Sequence, residues 1–383
     1  MHCTAVLGAA QAASTAALLQ ARLLGMARRA MATSLLCVPP PQVLLRPLAV
    51  PERLLLGPGP SNVPPRILAA GSQQLLGHMH PEVLQVMDEI KAGIQYAFQT
   101  RNRLTLAISG TGHCAMEAAL LNLLDRDDTA LVAVNGIWGQ RAADIARRLG
   151  ANVHELLKPP GPGAAQALGA LHHARRVLHR GAAATGGAGR ALPPPWLPAA
   201  CGCGGITRGS PHLHGPAGEK MLRRKTKPLS FYLDMSWLAN YWGCDGELRR
   251  YHHTAPINSF FSLREGLAML AELGLENSWE RHRANCTQLC QGLCDLGLEL
   301  FVKEEKARLP TVTTVRVPEG YDWKEITAFL MDNYSIEIAG GLGPSVGKVL
   351  RIGLMGCNST SGNVDRVLCA LRDALRHCRH SRL

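Results

Sequence analysis

Gly110-Thr111-Gly112-His113 lies between a short apolar run and an apolar helical run. Backbone amides at such a helix start favour an anion, and the threonine hydroxyl can donate to it. The same spacing also suits an ordinary glycine turn. Trp138 opens another helical stretch, where it offers a flat π-face to a ring or simply a core aromatic. Arg351, in "VLRIG", carries a planar fork that grips a carboxylate with paired hydrogen bonds, although a solvated strand arginine reads the same way. In Tyr251-His252-His253-Thr254 the paired histidines suggest a metal at first sight. Sequence neighbours seldom share one coordination sphere, so a surface loop is expected and no metal site is assigned. Pro58 and Gly59, in "GPGP", allow close backbone approach to a small ligand.

These residues need a scaffold, and the chain alternates helix with strand from Pro51 onward. "EVLQVMDEIKAGIQYAF" places Val83, Val86, Met87, Ile90, Ile94 and Phe98 on one helical face. Leu104 to Ile108 is expected as a strand that feeds the glycine turn and the helix "AMEAALLNLL". Then follow strand "TALVAV", the turn Asn135-Gly136, helix "WGQRAADIARRLG" and strand "ANVHELL". This is the grammar of an α/β protein with a mostly parallel, doubly wound sheet. A helical stretch from Leu263 to about Leu300 leads to a smaller α+β unit. It is built from strand "PTVTTVRV", helix "WKEITAFLMDNY", strand "VLRIGLM" and helix "GNVDRVLCALRDALRHC".

At 383 residues the chain accommodates a large and a small domain, each with its own core. No apolar run is long enough to span a bilayer. The net charge of +12 gathers at the ends and in the middle rather than in a basic stripe with aromatics, so nucleic acid is not an expected partner. The 12 cysteines lack paired spacing and read as reduced thiols of an intracellular protein. Arg22, Arg28, Arg29 and Arg46, with no acidic residue before Glu52, give residues 1–50 the composition of a mitochondrial presequence, with Met31 a second start. Ser381-Arg382-Leu383 approximates a peroxisomal address, or is simply the end of a basic helix.

One block breaks the pattern. Between Glu155 and Glu219 there is no acidic residue, and from Gly161 to Gly215 no lysine, asparagine, phenylalanine, tyrosine or methionine. Such a stretch cannot bury enough apolar surface to offset its chain entropy and is expected to be disordered. Its alanine, glycine, proline and arginine are residues of GC-rich codons rather than of a linker.

The flanks resemble the alanine:glyoxylate (serine:pyruvate) aminotransferase family, pyridoxal phosphate enzymes of fold type I and class V. The resemblance rests on "LLLGPGPSNVPPRILAAG", "ISGTGHCAMEAAL", "NGIWGQRA", "RKTKPLSFYLD", "WLANYWGCD", "YHHTAPI", "GLENSW", "LPTVTTVRVPEGYDW" and "GGLGPSVGKVLRIGLMGCN", in family order. It covers about Val43 to Pro160 and Gly218 to Leu375. It implies that Thr111, Gly112 and His113 meet the cofactor phosphate and that Trp138 stacks on the pyridine ring. It further implies that Tyr251 and Thr254 reach the phosphate of a dimer neighbour, and that Arg351, with Pro58 and Gly59, receives the substrate carboxylate. The partners implied are small amino and keto acids and a second subunit, either another copy or an intact enzyme chain.

Three family signatures of the chain's centre are missing: HGESSTG, the aspartate strand that serves the pyridine nitrogen, and SGSQK with its Schiff-base lysine. Ala174 to Ala183, written in permitted codons and displaced by one base, reads HGESSTGVL. The same displacement carried past Gly215 permits the aspartate strand in family order, but the lysine segment occurs in neither frame. The block therefore reads as native nucleotides in the wrong frame, from a splice form or a faulty gene structure. Lys91, Lys158, Lys220, Lys225, Lys227, Lys303, Lys306, Lys324 and Lys348 all stand in unrelated surroundings. No catalytic residue is assigned, and the chain is expected to be inactive, with disrupted central strands. The expected organisation is a presequence and arm over 1–50, the first part of the large domain over 51–160, and the displaced block over 161–217. The rest of the large domain follows over 218–275 and the small domain over 276–383.

Overall fold

The computed structural model describes residues 38, 40–134, 136–157, 221, 224 and 226–378. The presequence proper, the block, Lys158, Lys220, Lys225 and the C-terminal tripeptide lie outside the described residues. The chain divides into Met1–Glu52 and Arg53–Leu383. The described part of the first unit holds one 3-10 turn, Gln42–Leu45, with no buried residue.

The second unit begins with β1 (Leu54–Leu55), α1 (Pro65–Gly71), α2 (Pro81–Phe98), α3 (Gly112–Leu123), β2 (Thr129–Val134), α4 (Ile137–Arg148) and β3 (Asn152–Leu157). After the block come α5 (Met235–Tyr241), α6 (Ile257–Leu273) and α7 (Leu275–Asp295). The chain closes with β4 (Val312–Arg316), α8 (Trp323–Tyr334), β5 (Ile336–Glu337), β6 (Ala339–Gly340), β7 (Val349–Gly353) and α9 (Ser361–His377).

Helix α2 starts on a proline, whose fixed φ suits the first turn, and ends where Gln99 turns left-handed at φ 50°. Its buried Val83, Met87, Ile90 and Ile94 pack with Phe260, Leu263, Leu267 and Leu270 of α6 and with Tyr241 and Trp242. Burying each such side chain contributes on the order of 2 kcal/mol. Val86 and Phe98, expected on the same face, pack at its margin.

Strands β2 and β3 pair in parallel, from Thr129 opposite Asn152 to Val134 opposite Leu157. Ala130, Val132 and Val134 alternate inward against Ala142, Ala143, Ile145 and Ala146 of α4. Strand β3 is mostly exposed, and Leu156 and Leu157 are 56% and 67% exposed. Parallel strands are ordinarily covered on both faces. Leu104 to Ile108, expected as a strand, is not one among the described residues. A strand needs a hydrogen-bonded neighbour, and no described residue supplies it. Instead Leu104, Leu106 and Ile108 pack on Ala118, Met221, Met235 and Leu238.

Asn122 fastens the chain after the block to the chain before it. Its buried amide donates to Leu233 O at 2.7 Å, and its Oδ1 accepts from the Met235 backbone at 2.9 Å.

In the C-terminal part β7 is the central strand, antiparallel to β4 and to β6. Leu289 and Leu293 of α7, Ile326 and Leu330 of α8, and Val364, Val367 and Leu371 of α9 close over it. The residues just after Glu52 also join this core rather than the large domain. β1 pairs in parallel with β5, Leu56 is fully buried among the C-terminal residues, and Gly353 N donates to Leu56 O at 2.7 Å.

Candidate active site

Helix α3 opens on Thr111, an extended residue whose hydroxyl accepts from the Cys114 amide at 3.4 Å. Thr111 and Gly112 are exposed at the helix start, where an anion is favoured. His113 is half-buried. Its Nε2 is buried without a hydrogen-bond partner, and its ring lies 5.1 Å from the Trp138 ring at 54°. Trp138 sits in the first turn of α4, so two helix starts bring an unpaired imidazole nitrogen and an indole face together.

Ser109, just before the glycine turn, anchors the seat. Its carbonyl accepts from Tyr232 Oη at 2.7 Å, and its Oγ pairs with His253 Nε2 at 2.8 Å. His253 Nδ1 in turn meets His252 Nδ1 at 2.8 Å. Burial lowers the His253 pKa to about 4, and the neighbouring His252 and His78 push the same way. The imidazole is therefore neutral at physiological pH.

The histidine pair is not the surface loop expected from its sequence. His252 is buried and stacks on Phe231 at 5.3 Å, and His253 is half-buried against Tyr241 at 5.5 Å. Local polarity hid this, because the aromatic residues that cover the pair are distant in sequence. Among the described residues no cluster of three or more acidic, cysteine or histidine side chains could hold a metal.

Tyr251 is 52% exposed, stacks on His78 at 5.8 Å, and its hydroxyl lies 3.0 Å from Thr254 Oγ1. Ser109, Tyr232 and Tyr241 stand inside quoted runs without an assigned role, and His78 lies in none; they join the site only through these tertiary contacts.

Arg351 lies on β7, paired with Thr314 of β4 and Ala339 of β6. Its Nε donates to Gly340 O at 2.6 Å, which leaves the two Nη groups for a ligand. Burial lowers its pKa, as removal of water from a cation must. One close approach and one left-handed glycine set the surroundings. A Cβ at Gly353 would fall 1.9 Å from Gly57 O, so only glycine lets the strand that carries Arg351 meet the Gly57-Pro58-Gly59 turn. Gly343 has φ 59°, and a Cβ there would lie 3.7 Å from Ile137 Cδ1, beside Trp138. Pro58 is half-buried, and Gly59 is exposed at φ 126°.

An anion turn, a ring face and a half-buried arginine match what a transaminase asks of its protein. Residues 53–169 and 213–367 match the family described as Aminotransferase class-V. The chain belongs to the class-V aminotransferases. The match leaves out 170–212.

This class-V chain is 52% identical to the alanine–glyoxylate aminotransferase of Felis catus over 394 aligned residues, 93% of this chain and 95% of the relative. The alanine–glyoxylate aminotransferase of Drosophila melanogaster is 41% identical, over 88% of this chain and 96% of its own. Among solved structures, the alanine–glyoxylate aminotransferase from Nostoc sp. superposes with TM-score 0.74 at 36% identity, covering 89% of this chain and all of that one. These similarities give the α/β fold of type I pyridoxal phosphate enzymes, and pyridoxal phosphate is the family's cofactor.

The described residues fit the phosphate and ring of that cofactor. The helix start is exposed at Thr111 and Gly112, and His113 Nε2 and His78 Nδ1 are buried without partners. Of the six described lysines, Lys91 is tethered and the other five are exposed. Lys91 donates to Asp88 Oδ1 and to the carbonyls of Trp242 and Gly243. Lys227, Lys303, Lys306, Lys324 and Lys348 are exposed.

Proposed function

We propose that this class-V chain is an aminotransferase polypeptide of the alanine:glyoxylate (serine:pyruvate) type that retains its seats for cofactor and substrate and is without turnover as written. The observation that carries the first half is 52% identity to an alanine–glyoxylate aminotransferase across 93% of the chain. The second half rests on the missing lysine motif, together with the lysine positions just described.

When bound, pyridoxal phosphate supplies a conjugated ring that withdraws charge from the substrate Cα. The chain's own residues bind and orient. The amides of Gly112 and His113 and the Thr111 hydroxyl hold the phosphate dianion at the positive end of α3. Trp138 packs one ring face and restricts tilt. Arg351 takes the substrate carboxylate with its two Nη groups, while its Nε stays tied to Gly340 O. Neutral His253 buttresses Ser109 without adding charge beside the dianion. The proton transfer at Cα falls to a lysine amine in the family, and this chain has no group assigned to it.

A second reading follows from the exposed Tyr251 beside Thr254. The chain, as a non-catalytic partner, lends both hydroxyls to the phosphate of an intact subunit. The presequence and C-terminal tripeptide support mitochondrial or peroxisomal placement for such a pair.

The test is direct. The full chain is incubated with pyridoxal phosphate, reduced with borohydride and examined by intact mass, and alanine with glyoxylate is assayed in parallel. Quenching of tryptophan emission that is lost in Trp138→Phe, without a mass increase and without pyruvate production, is the expected result. A reduced cofactor adduct or turnover overturns the inactive reading.

A further inference from the structure

Ser109, His253 and His252 form a directed chain of hydrogen bonds beside the anion turn. Ser109 Oγ lies 2.8 Å from His253 Nε2, and His253 Nδ1 lies 2.8 Å from His252 Nδ1. His252 Nε2 lies 3.4 Å from Phe231 O.

The last contact fixes the direction of the others. A carbonyl oxygen only accepts, so His252 Nε2 carries its proton, and the neutral ring has a bare Nδ1. His253 Nδ1 must then donate. That leaves His253 Nε2 as an acceptor and the Ser109 hydroxyl as its donor. An ordinary imidazole titrates at about 6.5 and is neutral at about pH 8, so the chain of donors stands there without any shift. A hydroxyl is aimed at a base, and a third group orients the base through its other nitrogen. This is the arrangement that activates a serine nucleophile.

The surroundings suit acyl transfer. Tyr232 Oη donates to Ser109 O at 2.7 Å and holds the residue in place, while His252 is fixed by its stack on Phe231. Ser109 is half-buried, and Gly110, Thr111 and Gly112 are exposed, so the hydroxyl stands beside solvent just ahead of α3. The positive end of that helix favours the negative charge that collects on a carbonyl oxygen under attack. The orienting group is a neutral imidazole rather than a carboxylate. It stabilises an imidazolium less, which restricts the chemistry to esters with good leaving groups.

We propose that Ser109 and His253 are catalytic residues, positioned by His252, for the hydrolysis of small aryl esters, an activity separate from amino-group transfer that needs no cofactor. Ser109 Oγ bonds to the acyl carbon as its proton passes to His253 Nε2, and the bond to the aryloxide breaks. The imidazolium returns that proton to the departing aryloxide. Water then attacks the acyl-serine. His253 Nε2 takes the water proton and passes it to Ser109 Oγ as the acyl bond breaks, and a carboxylic acid leaves.

The experiment treats the full chain, without cofactor and at about pH 8, with a fluorophosphonate, which bonds phosphorus to an activated serine oxygen and releases fluoride. The adduct is mapped by peptide mass, and p-nitrophenyl acetate hydrolysis is followed in parallel. One adduct, on Ser109, is expected, and its formation stops the hydrolysis. Ser109→Ala abolishes both, and His253→Gln slows both at least about 100-fold, as loss of a general base requires. Cys114→Ala removes the thiol packed against Gly110 and leaves both unchanged. Mapping on the unaltered chain needs no variant, so a variant that folds poorly does not spoil the test. Absence of an adduct, an adduct elsewhere, or undiminished labelling in His253→Gln overturns the proposal.

Discussion

Ser109 Oγ and His253 Nε2 meet at 2.8 Å across 144 positions of sequence, and this contact ties the anion turn to the histidine loop. Removing the hydroxyl leaves His253 Nε2 half-buried and unpaired. A lost partner of this kind costs about 1–3 kcal/mol. Ser109→Ala should therefore lower the thermal midpoint by several degrees and weaken inorganic phosphate binding. Ser109→Thr, which keeps the hydroxyl, should restore most of both. Differential scanning calorimetry with and without phosphate checks this, and an unchanged midpoint would show that the contact adds no stability.

The His253 imidazole makes stability depend on pH in a defined direction. Its pKa is about 4 in the fold, against an ordinary value near 6.5. As pH falls below 6.5 the unfolded chain takes up a proton that the folded chain refuses until about pH 4. The stabilisation is complete above 6.5 and is lost progressively between those values. The half-exposed ring reduces its size. Urea midpoints should fall from pH 7 to pH 4.5, and His253→Gln, which cannot titrate, should flatten that slope. Equal slopes in the two proteins would remove His253 as the cause.

Much of the fold was legible because the periodicities are local. "WKEITAFLMDNY" predicts α8 to the residue, and Asp322 caps it by accepting from Lys324 N at 2.9 Å. "TALVAV" and "ANVHELL" predict β2 and β3 by alternation and turn signals. Long-range partners were not legible. Leu104 to Ile108 reads as a strand, yet strand formation depends on a neighbour that its own residues do not encode. Leu54 to Leu56 reads as the start of the large domain, yet it docks on Ile336 and Glu337, far along the chain. Among the candidate site residues, Thr111, Gly112, His113, Trp138 and Arg351 carried recognisable chemistry. Ser109 and His78 carried none, because a serine and a histidine become part of a seat only through what faces them.

Arg351 is expected to bind carboxylates through a geometry that lysine cannot copy. Its Nε is committed to Gly340 O at 2.6 Å, so the fork is already oriented. Arg351→Lys keeps the charge and loses both the tether and the paired donors. A charge-assisted hydrogen bond contributes about 1.5–3 kcal/mol, so pyruvate or alanine binding should weaken by roughly 10- to 100-fold. Isothermal titration of the cofactor-loaded chain measures it. Equal affinity in both proteins would place the carboxylate elsewhere.

Leu156 and Leu157 stand exposed at the end of β3, a strand whose described pairing is with β2 alone. A strand edge that no described residue pairs, ending in two exposed leucines, is a template for other chains. The purified chain should therefore associate with rising concentration, and Leu156→Lys with Leu157→Lys should reduce this by adding charge at the edge. Both side chains are already more than half in water, so the thermal midpoint should change by less than about 0.5 kcal/mol equivalent. Light scattering against concentration separates the outcomes. Association that is undiminished in the double lysine variant would mean that contacts elsewhere drive it, for which the exposed Leu229 and Phe231 are the next residues to substitute.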